Sequence, residues 1–400
     1  MPRLFDVTTF DDVFSLFDER ISMQFIFTSE QLQFREMVQR FLKEKSPSSE
    51  VRRLMETETG FDEKIWKQLS EELGLQSLPI PERYGGAGFG SVELGIVMEE
   101  MGRSLLCAPY FSTTVLAASA ILNAGSEEQK QTLLPGIAEG SVRATLAMTE
   151  VNGIWGASGI QLVAEVKDGS MVLSGEKSFV VDGHTANLLI VVARMKGTTG
   201  SEGITFFTVK EEAAGLEKTL LKSMDTTRKL ARLKFVDVEA QLLGVEAGGY
   251  EAFLNTKDRA VIALANEMVG GAQYLLDSAI AYSKIRMQFG RVIGSFQAIK
   301  HKCADMLLEL ELAKSAAYYA AAALEEEGTN IPALASMAKS AAGDAYMHIA
   351  AETIQIHGGI GFTWDQDTHL WFKRAKSSEV YLGGPAYHRE RLMQHWGEGL

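Results

Sequence analysis

The spacing of hydrophobic positions changes twice along this chain. From Thr28 to about Arg143 apolar residues recur at helical intervals, as in Leu32, Phe34, Met37, Val38, Phe41 and Leu42. Thr28, Ser29, Glu30 and Gln31 precede them and read as a helix N-cap. A further helix is expected over 63–73, closed by Gly74. The stretch PIPERYGGAGFG over 79–90 is a Pro/Gly loop that no helix can cross, and a new helix starts at Ser91. From about Ala144 to Gly244 the period drops to two. Strands are expected over 145–149, 160–166, 171–174, 178–181, 188–193, 204–209 and 230–236. From Gly249 the pattern is helical again. The segment 296–327 carries an apolar stripe through Ile299, Cys303, Met306, Leu310, Ala313 and Ala317, and 337–357 is a second long helix.

This order predicts an α+β multidomain chain. An N-terminal helical domain over 27–143 is followed by a central antiparallel β-barrel or sandwich over 144–245 and a C-terminal four-helix bundle over 246–400. Residues 1–26 form an extension rich in Phe and Asp. It lacks the basic start and clean apolar stretch of a secretory signal, and its acids are foreign to a mitochondrial presequence.

Composition narrows the function. The 400 residues are 46% hydrophobic, enough for large cores, yet no apolar run reaches the roughly 20 residues of a membrane span. Two cysteines, Cys107 and Cys303, give neither a disulfide framework nor metal-site spacing, so a cytoplasmic location is expected. A net charge of −13 argues against nucleic acid as a partner.

Candidate chemistry sits in the C-terminal third. Arg286 and Phe289 lie three apart at a helix end, the turn GRVIG follows, and Gln297 begins the next helix. A guanidinium, an aromatic edge and an amide at one corner suit a dinucleotide. The same residues also fit a surface salt bridge and a core phenylalanine. The paired glycines Gly358 and Gly359 after Gln355 would let backbone approach a ligand, and equally fit a helix C-cap.

Four motifs in order give the chain a family resemblance. They are PERYGGAGFGSVELGIVMEEMGR (81–103), AMTE (147–150), RMQFGRVIGSFQAIKHKCADM (286–306) and QIHGGIGF (355–362). Over about 27–395 the chain resembles the acyl-CoA dehydrogenases. That resemblance implies FAD as cofactor, an acyl-CoA substrate oxidised to a trans-2-enoyl-CoA, and an electron-transfer flavoprotein as acceptor. It implies that Arg286, Phe289, Gln297, Gln355, Gly358 and Gly359 reach a flavin held mainly by a neighbouring subunit, with Thr149 and Phe179 on the chain's own flavin. A tetramer is expected, homomeric or mixed with a related subunit.

The family's reaction needs a carboxylate for the α-proton and N–H or O–H donors for the carbonyl oxygen. Its glutamate commonly lies in a Tyr-Glu-Gly-Thr stretch, which here reads Tyr381, Leu382, Gly383 and Gly384. Leu382 cannot take a proton, although its backbone N–H remains, so Leu382 and Gly383 are expected only to contact substrate. Some members carry the base on a bundle helix before an arginine. That places Asp258 as a tentative base with Arg259 orienting it; Glu379 is a fallback that otherwise pairs with Lys376 or Arg374. Trp155 stands at the position of a ligand-contacting serine, and Val181 replaces a threonine beside the flavin. Elements facing the chain's own flavin are thus eroded, and those lent to a neighbour are intact. Two readings follow: a dehydrogenase using Asp258, or a weakly catalytic subunit completing a partner's flavin site. Enoyl-CoA reduction and nitroalkane oxidation are further chemistries of the same fold.

Overall fold

A computed structural model describes residues 27–326 and 328–396. The N-terminal extension over 1–26 therefore lies outside the described residues.

The first region is helical: α1 Ser29–Lys45, α2 Ser48–Met55, α3 Glu63–Glu71 and α4 Ser91–Ser104, then a π-helix at Phe111–Ala117 continuing into α5 Ala118–Ala124, and α6 Glu127–Ala138. The expected cap is present. Thr28 Oγ1 accepts from the N–H of Gln31, and the Gln31 side chain accepts from the N–H of Thr28.

The β region has eight strands: β1 Ala144–Ala147, β2 Val163–Lys167, β3 Ser170–Val181, β4 Leu188–Met195, β5 Ile204–Lys210, β6 Leu216–Leu220, β7 Leu230–Glu239 and β8 Gln241–Leu243. They form one sheet in the order β6-β7-β3-β2-β4-β5-β8, with β1 added to β4. The expected β-barrel or sandwich domain is present, as an open sheet that is not wholly antiparallel. The path is open, running from β6 to β8, and β4 pairs in parallel with β1 and with β2. Strand β4 explains the two-layered packing. Ile190 and Val192 join the main core with the helices, whereas Leu189, Val191 and Ala193 join a second core on the other face.

Two strands expected over 171–174 and 178–181 are one strand, β3. Its pairing with β7 shifts register between Leu173 and Gly175 and again between Lys177 and Val180. The second irregularity puts Phe179 at a φ of 58°. It turns this ring outward, so Phe179 is 43% exposed in the middle of a sheet.

The C-terminal region has three long helices, α7 Tyr250–Ile285, α8 Gln297–Ala323 and α9 Ile331–His357, and two shorter ones, α10 Thr368–Val380 and α11 Pro385–Trp396. A two-residue-strand hairpin, β9 Met287–Gln288 with β10 Arg291–Val292, joins α7 to α8. Helices α4 and α7 cross at backbone contact. A Cβ on Gly102 would lie 1.9 Å from the carbonyl oxygen of Glu267, and one on Gly270 would lie 1.8 Å from that of Glu99. That crossing ties the N-terminal helices to the bundle. Among the described residues no helix is long and apolar enough to cross a membrane.

Candidate active-site cleft and cofactor corner

A largely apolar cleft of about 340 Å³ opens between the sheet and α10. Trp155, Phe179, Met224, Leu230, Val380 and Tyr381 supply its walls, and Arg228 and Asp225 its polar end. Phe179 arrives by the β3 irregularity. Trp155 arrives on the loop after Glu150, which is fastened from below. Glu150 Oε1 accepts from the Nζ of Lys177 at 2.7 Å and from the N–H groups of Gln161 and Leu162. Lys177 is fully buried, and burial pushes its ammonium down to about 8 despite that carboxylate. The Trp155 ring meets Tyr381 edge-on at 5.7 Å, and Tyr381 meets Phe111 at 6.2 Å. Lys257 Nζ donates to the carbonyl of Trp155 at 3.2 Å and approaches the Tyr387 hydroxyl at 3.3 Å. Burial lowers this lysine also, to about 8.

Behind the cleft the interior is charged and filled. Arg228 Nη2 lies 2.5 and 2.6 Å from the two carboxylate oxygens of Glu267. Arg374 binds Asp225 at 2.8 Å, Glu267 at 3.0 Å and Thr227 at 2.7 Å. Burial alone would raise the Asp225 carboxyl, but Arg374 and Arg228 hold it below its usual range. Only about 30 Å³ of free space remains beyond, beside Asp182. Burial pushes the Asp182 carboxyl up to about 6, against a hydrogen bond of 2.6 Å from Ser112. Sequence reasoning missed Arg228, Glu267 and Asp225. No local spacing marks them, because the network joins residues up to 149 positions apart.

Leu382 is fully buried at a φ of 62°, and its N–H has no hydrogen-bond partner among the described residues. The turn around it is clamped. Lys339 Nζ donates to the carbonyls of Glu379 and Gly383 at 3.0 and 3.1 Å, and the His388 ring lies 3.0 Å from the Leu382 carbonyl. A residue held left-handed with a free amide is a preorganised donor. Gly383 follows at a φ of 106°.

The Asp258–Arg259 pairing expected from sequence does not form. Asp258 is buried and faces α11, where Arg391 binds it through both nitrogens at 2.6 and 2.8 Å. Arg259 is exposed and borders a different cavity. Neither residue lines the cleft; Leu382 and Gly383 do not line it either, but follow directly on Tyr381, which does. Glu379 pairs with Lys376, and Arg374 is committed elsewhere. Thr149 spends its hydroxyl on the Ser178 carbonyl. Val181 is buried and contributes no polar atom.

The corner residues gather at the surface. Phe289 and Gly290 form the tip of the β9–β10 hairpin at φ values of 52° and 77°, the signs of a type I′ turn. This turn leaves the Phe289 ring 91% exposed. Arg286, Gln297, Gln355 and Gly359 are exposed and Gly358 half-buried. The Arg286 side chain makes no ion pair or hydrogen bond among the described residues. Neither the salt bridge nor the core phenylalanine that the same sequence would allow is present.

Fit to a flavin can be judged on these groups. The cleft offers apolar walls for a flat ring but few free polar atoms. The corner offers an unspent guanidinium and an aromatic edge, directed away from the chain's own core.

This three-region fold with its cleft and outward corner defines an acyl-CoA dehydrogenase architecture. Models of the acyl-CoA dehydrogenase N-terminal, middle and C-terminal domains match residues 28–141, 145–238 and 247–396. The chain belongs to the acyl-CoA dehydrogenase family. It is 32% identical to the acyl-CoA dehydrogenase IpdE2 of Mycolicibacterium smegmatis over 90% of this chain and 96% of the relative. Butyryl-CoA dehydrogenase of Megasphaera elsdenii superposes with a TM-score of 0.87 at 29% identity, covering 94% of this chain and 100% of that one. The ChsE4–ChsE5 complex of Mycobacterium tuberculosis contains a chain that superposes at 0.84 with 25% identity, over 94% and 99%.

Proposed function

We propose that this chain is a subunit of a heteromeric, FAD-dependent acyl-CoA dehydrogenase, contributing a cofactor corner to a partner of the same family that carries the base. One observation supports this above all. Asp225 is the sole carboxylate lining the cleft, and Arg374 Nε together with the N–H and hydroxyl of Thr227 hold it. Each carboxylate considered as a base is likewise committed: Asp258 to Arg391 and Glu379 to Lys376. Arg374 and Arg228 hold the Asp225 carboxyl below its usual range, and the buried two-point contact with Arg391 keeps Asp258 from swinging toward a substrate. The complex between ChsE4 and ChsE5 shows that two chains assemble in one relative.

In this reading Arg286 holds a phosphate oxygen, Gln297 and Gln355 hold polar edges, and Phe289 covers an apolar part of the nucleotide. Gly358 and Gly359 let the α9 end approach. On the chain's own side Phe179 and Trp155 bound the ring, and Thr149 supports Phe179 through its bond to the neighbouring Ser178 carbonyl. Bound FAD supplies the two-electron acceptor, and an electron-transfer flavoprotein takes the electrons on. The Leu382 N–H and the Gly383 turn orient a thioester carbonyl and stabilise negative charge on its oxygen. No residue of this chain then removes the α-proton.

The homomeric alternative assigns that step to Asp258, with Arg259 orienting it. It requires Asp258 to leave Arg391, and nothing in the geometry favours that.

Co-expression with candidate family partners, followed by measurement of flavin content and acyl-CoA-dependent bleaching, tests the proposal. The complex is expected to retain flavin and bleach, and the purified single chain to do neither. Stoichiometric flavin and bleaching in the single chain, abolished by Asp258→Asn, would establish the alternative instead.

A further inference from the structure

A second cavity, of about 230 Å³, lies on the opposite side of α7 from the charged network. Glu267 faces that network, whereas Arg259, Ile262 and Asn266 face this cavity. The loop over 79–90, the start of α4, the π-helix and the end of α8 close it. It shares no lining residue with the cleft.

Of the unspent polar groups in it, one is fully buried and one is charged. Thr114 is 0% exposed, and its hydroxyl has no hydrogen-bond partner. A buried hydroxyl without a partner is costly, so its persistence points to something that visits it. Thr114 sits within the π-helix Phe111–Ala117, a backbone form concentrated at functional sites. At the exposed end stands Arg259, whose guanidinium makes no ion pair or hydrogen bond among the described residues. Of the other polar side chains, Ser91 and Ser119 make no side-chain hydrogen bond among the described residues, whereas Glu325, Asn266 and Asn123 are occupied. Glu325 accepts from the N–H of Ser91 at 2.7 Å, which offsets its charge at the α4 start. Asn266 donates to the Ile262 carbonyl at 2.9 Å, and Asn123 to Thr256 at 2.9 Å. Phe89, Leu122 and Ile262 give the cavity apolar lining.

We infer that this cavity binds a small organic monocarboxylate bearing one further hydroxyl or carbonyl. The carboxylate meets Arg259 at the mouth, the carbon chain lies on the apolar lining, and the second oxygen pairs with Thr114 inside. Scaling from a cavity of about 150 Å³ that accepts benzene, the ligand has roughly nine non-hydrogen atoms. The site stands apart from the cofactor cleft and does not depend on the proposed dehydrogenation.

The probes are 6-hydroxyhexanoate, hexanoate and 1,6-hexanediol, titrated into the full chain by calorimetry and by saturation-transfer NMR. The hydroxy acid is expected to bind best and the diol worst. Arg259→Gln is expected to weaken both acids about tenfold and leave the diol unchanged, as loss of a charge-assisted bond would. Thr114→Val is expected to weaken only the hydroxy acid, several-fold, while keeping or raising the melting temperature. That thermal result separates loss of the contact from misfolding. No binding at millimolar probe, or binding that neither substitution alters, would overturn the site and leave a cavity holding water alone.

Discussion

At the scale of single residues, adjacency in sequence misled and distance in sequence concealed. Asp258 and Arg259 look like a pair when written side by side. Neighbours on a helix point about 100° apart, so one faces α11 and the other a separate cavity. The true partner, Arg391, is 133 positions away. Its bidentate, buried geometry makes a specific prediction. Arg391→Met should cost about 3–5 kcal/mol in urea denaturation, since it strands a buried charge. The double variant Asp258→Leu/Arg391→Met should recover most of that loss. A single variant as stable as the parent would mean that the pair is not formed. The departures at Leu382 and Trp155 were legible, because each is one letter in a recognisable motif. The Arg228–Glu267–Arg374–Asp225 network was not, because burial and long-range pairing leave no local period.

At the scale of elements, the turn after α10 and the β9–β10 hairpin carry opposite lessons. Lys339 is fully buried and donates only to carbonyls, and burial pushes its ammonium down to about 7. The unfolded chain holds that proton up to about 10.4. Between those values the unfolded state binds more protons, so this residue makes stability rise with pH, by at most about 1.4 kcal/mol per pH unit. Lys177 and Lys257, lowered to about 8, act in the same direction over the upper part of the window. Denaturation midpoints measured from pH 7 to 9.5 should therefore climb in the parent and climb less in Lys339→Met. Equal slopes would remove Lys339 as the cause. The hairpin contributes little to its own chain. Phe289→Ala should alter the chain's stability by less than about 0.5 kcal/mol, given a ring that touches mainly solvent and Phe296. The expectation of wholly antiparallel pairing failed at β4 for a readable reason: Leu188–Met195 is apolar on both faces and accepts parallel neighbours. Alternation alone distinguishes strand from helix but says nothing of which strands meet.

At the scale of the whole molecule, the proposal predicts a separation of roles between chains. In a co-expressed complex, Arg286→Ala in this chain should lower flavin content several-fold without changing the melting temperature of this chain purified alone. Leu382→Glu should not by itself give a purified single chain acyl-CoA-dependent bleaching, because the ring's polar contacts remain missing. Full flavin in the Arg286→Ala complex would break the link between the corner and the cofactor. The family and the order of the three regions were plain in the sequence, as four motifs spread over most of its length. The depth of the cleft was not. Arg228 stands at its inner end with both partners spoken for, and scarcely a water's width lies behind it. Whatever enters tail-first must double back or keep its bulk outside, beside Lys373 and Lys376, so this pocket favours guests that are broad at the rim and short in reach.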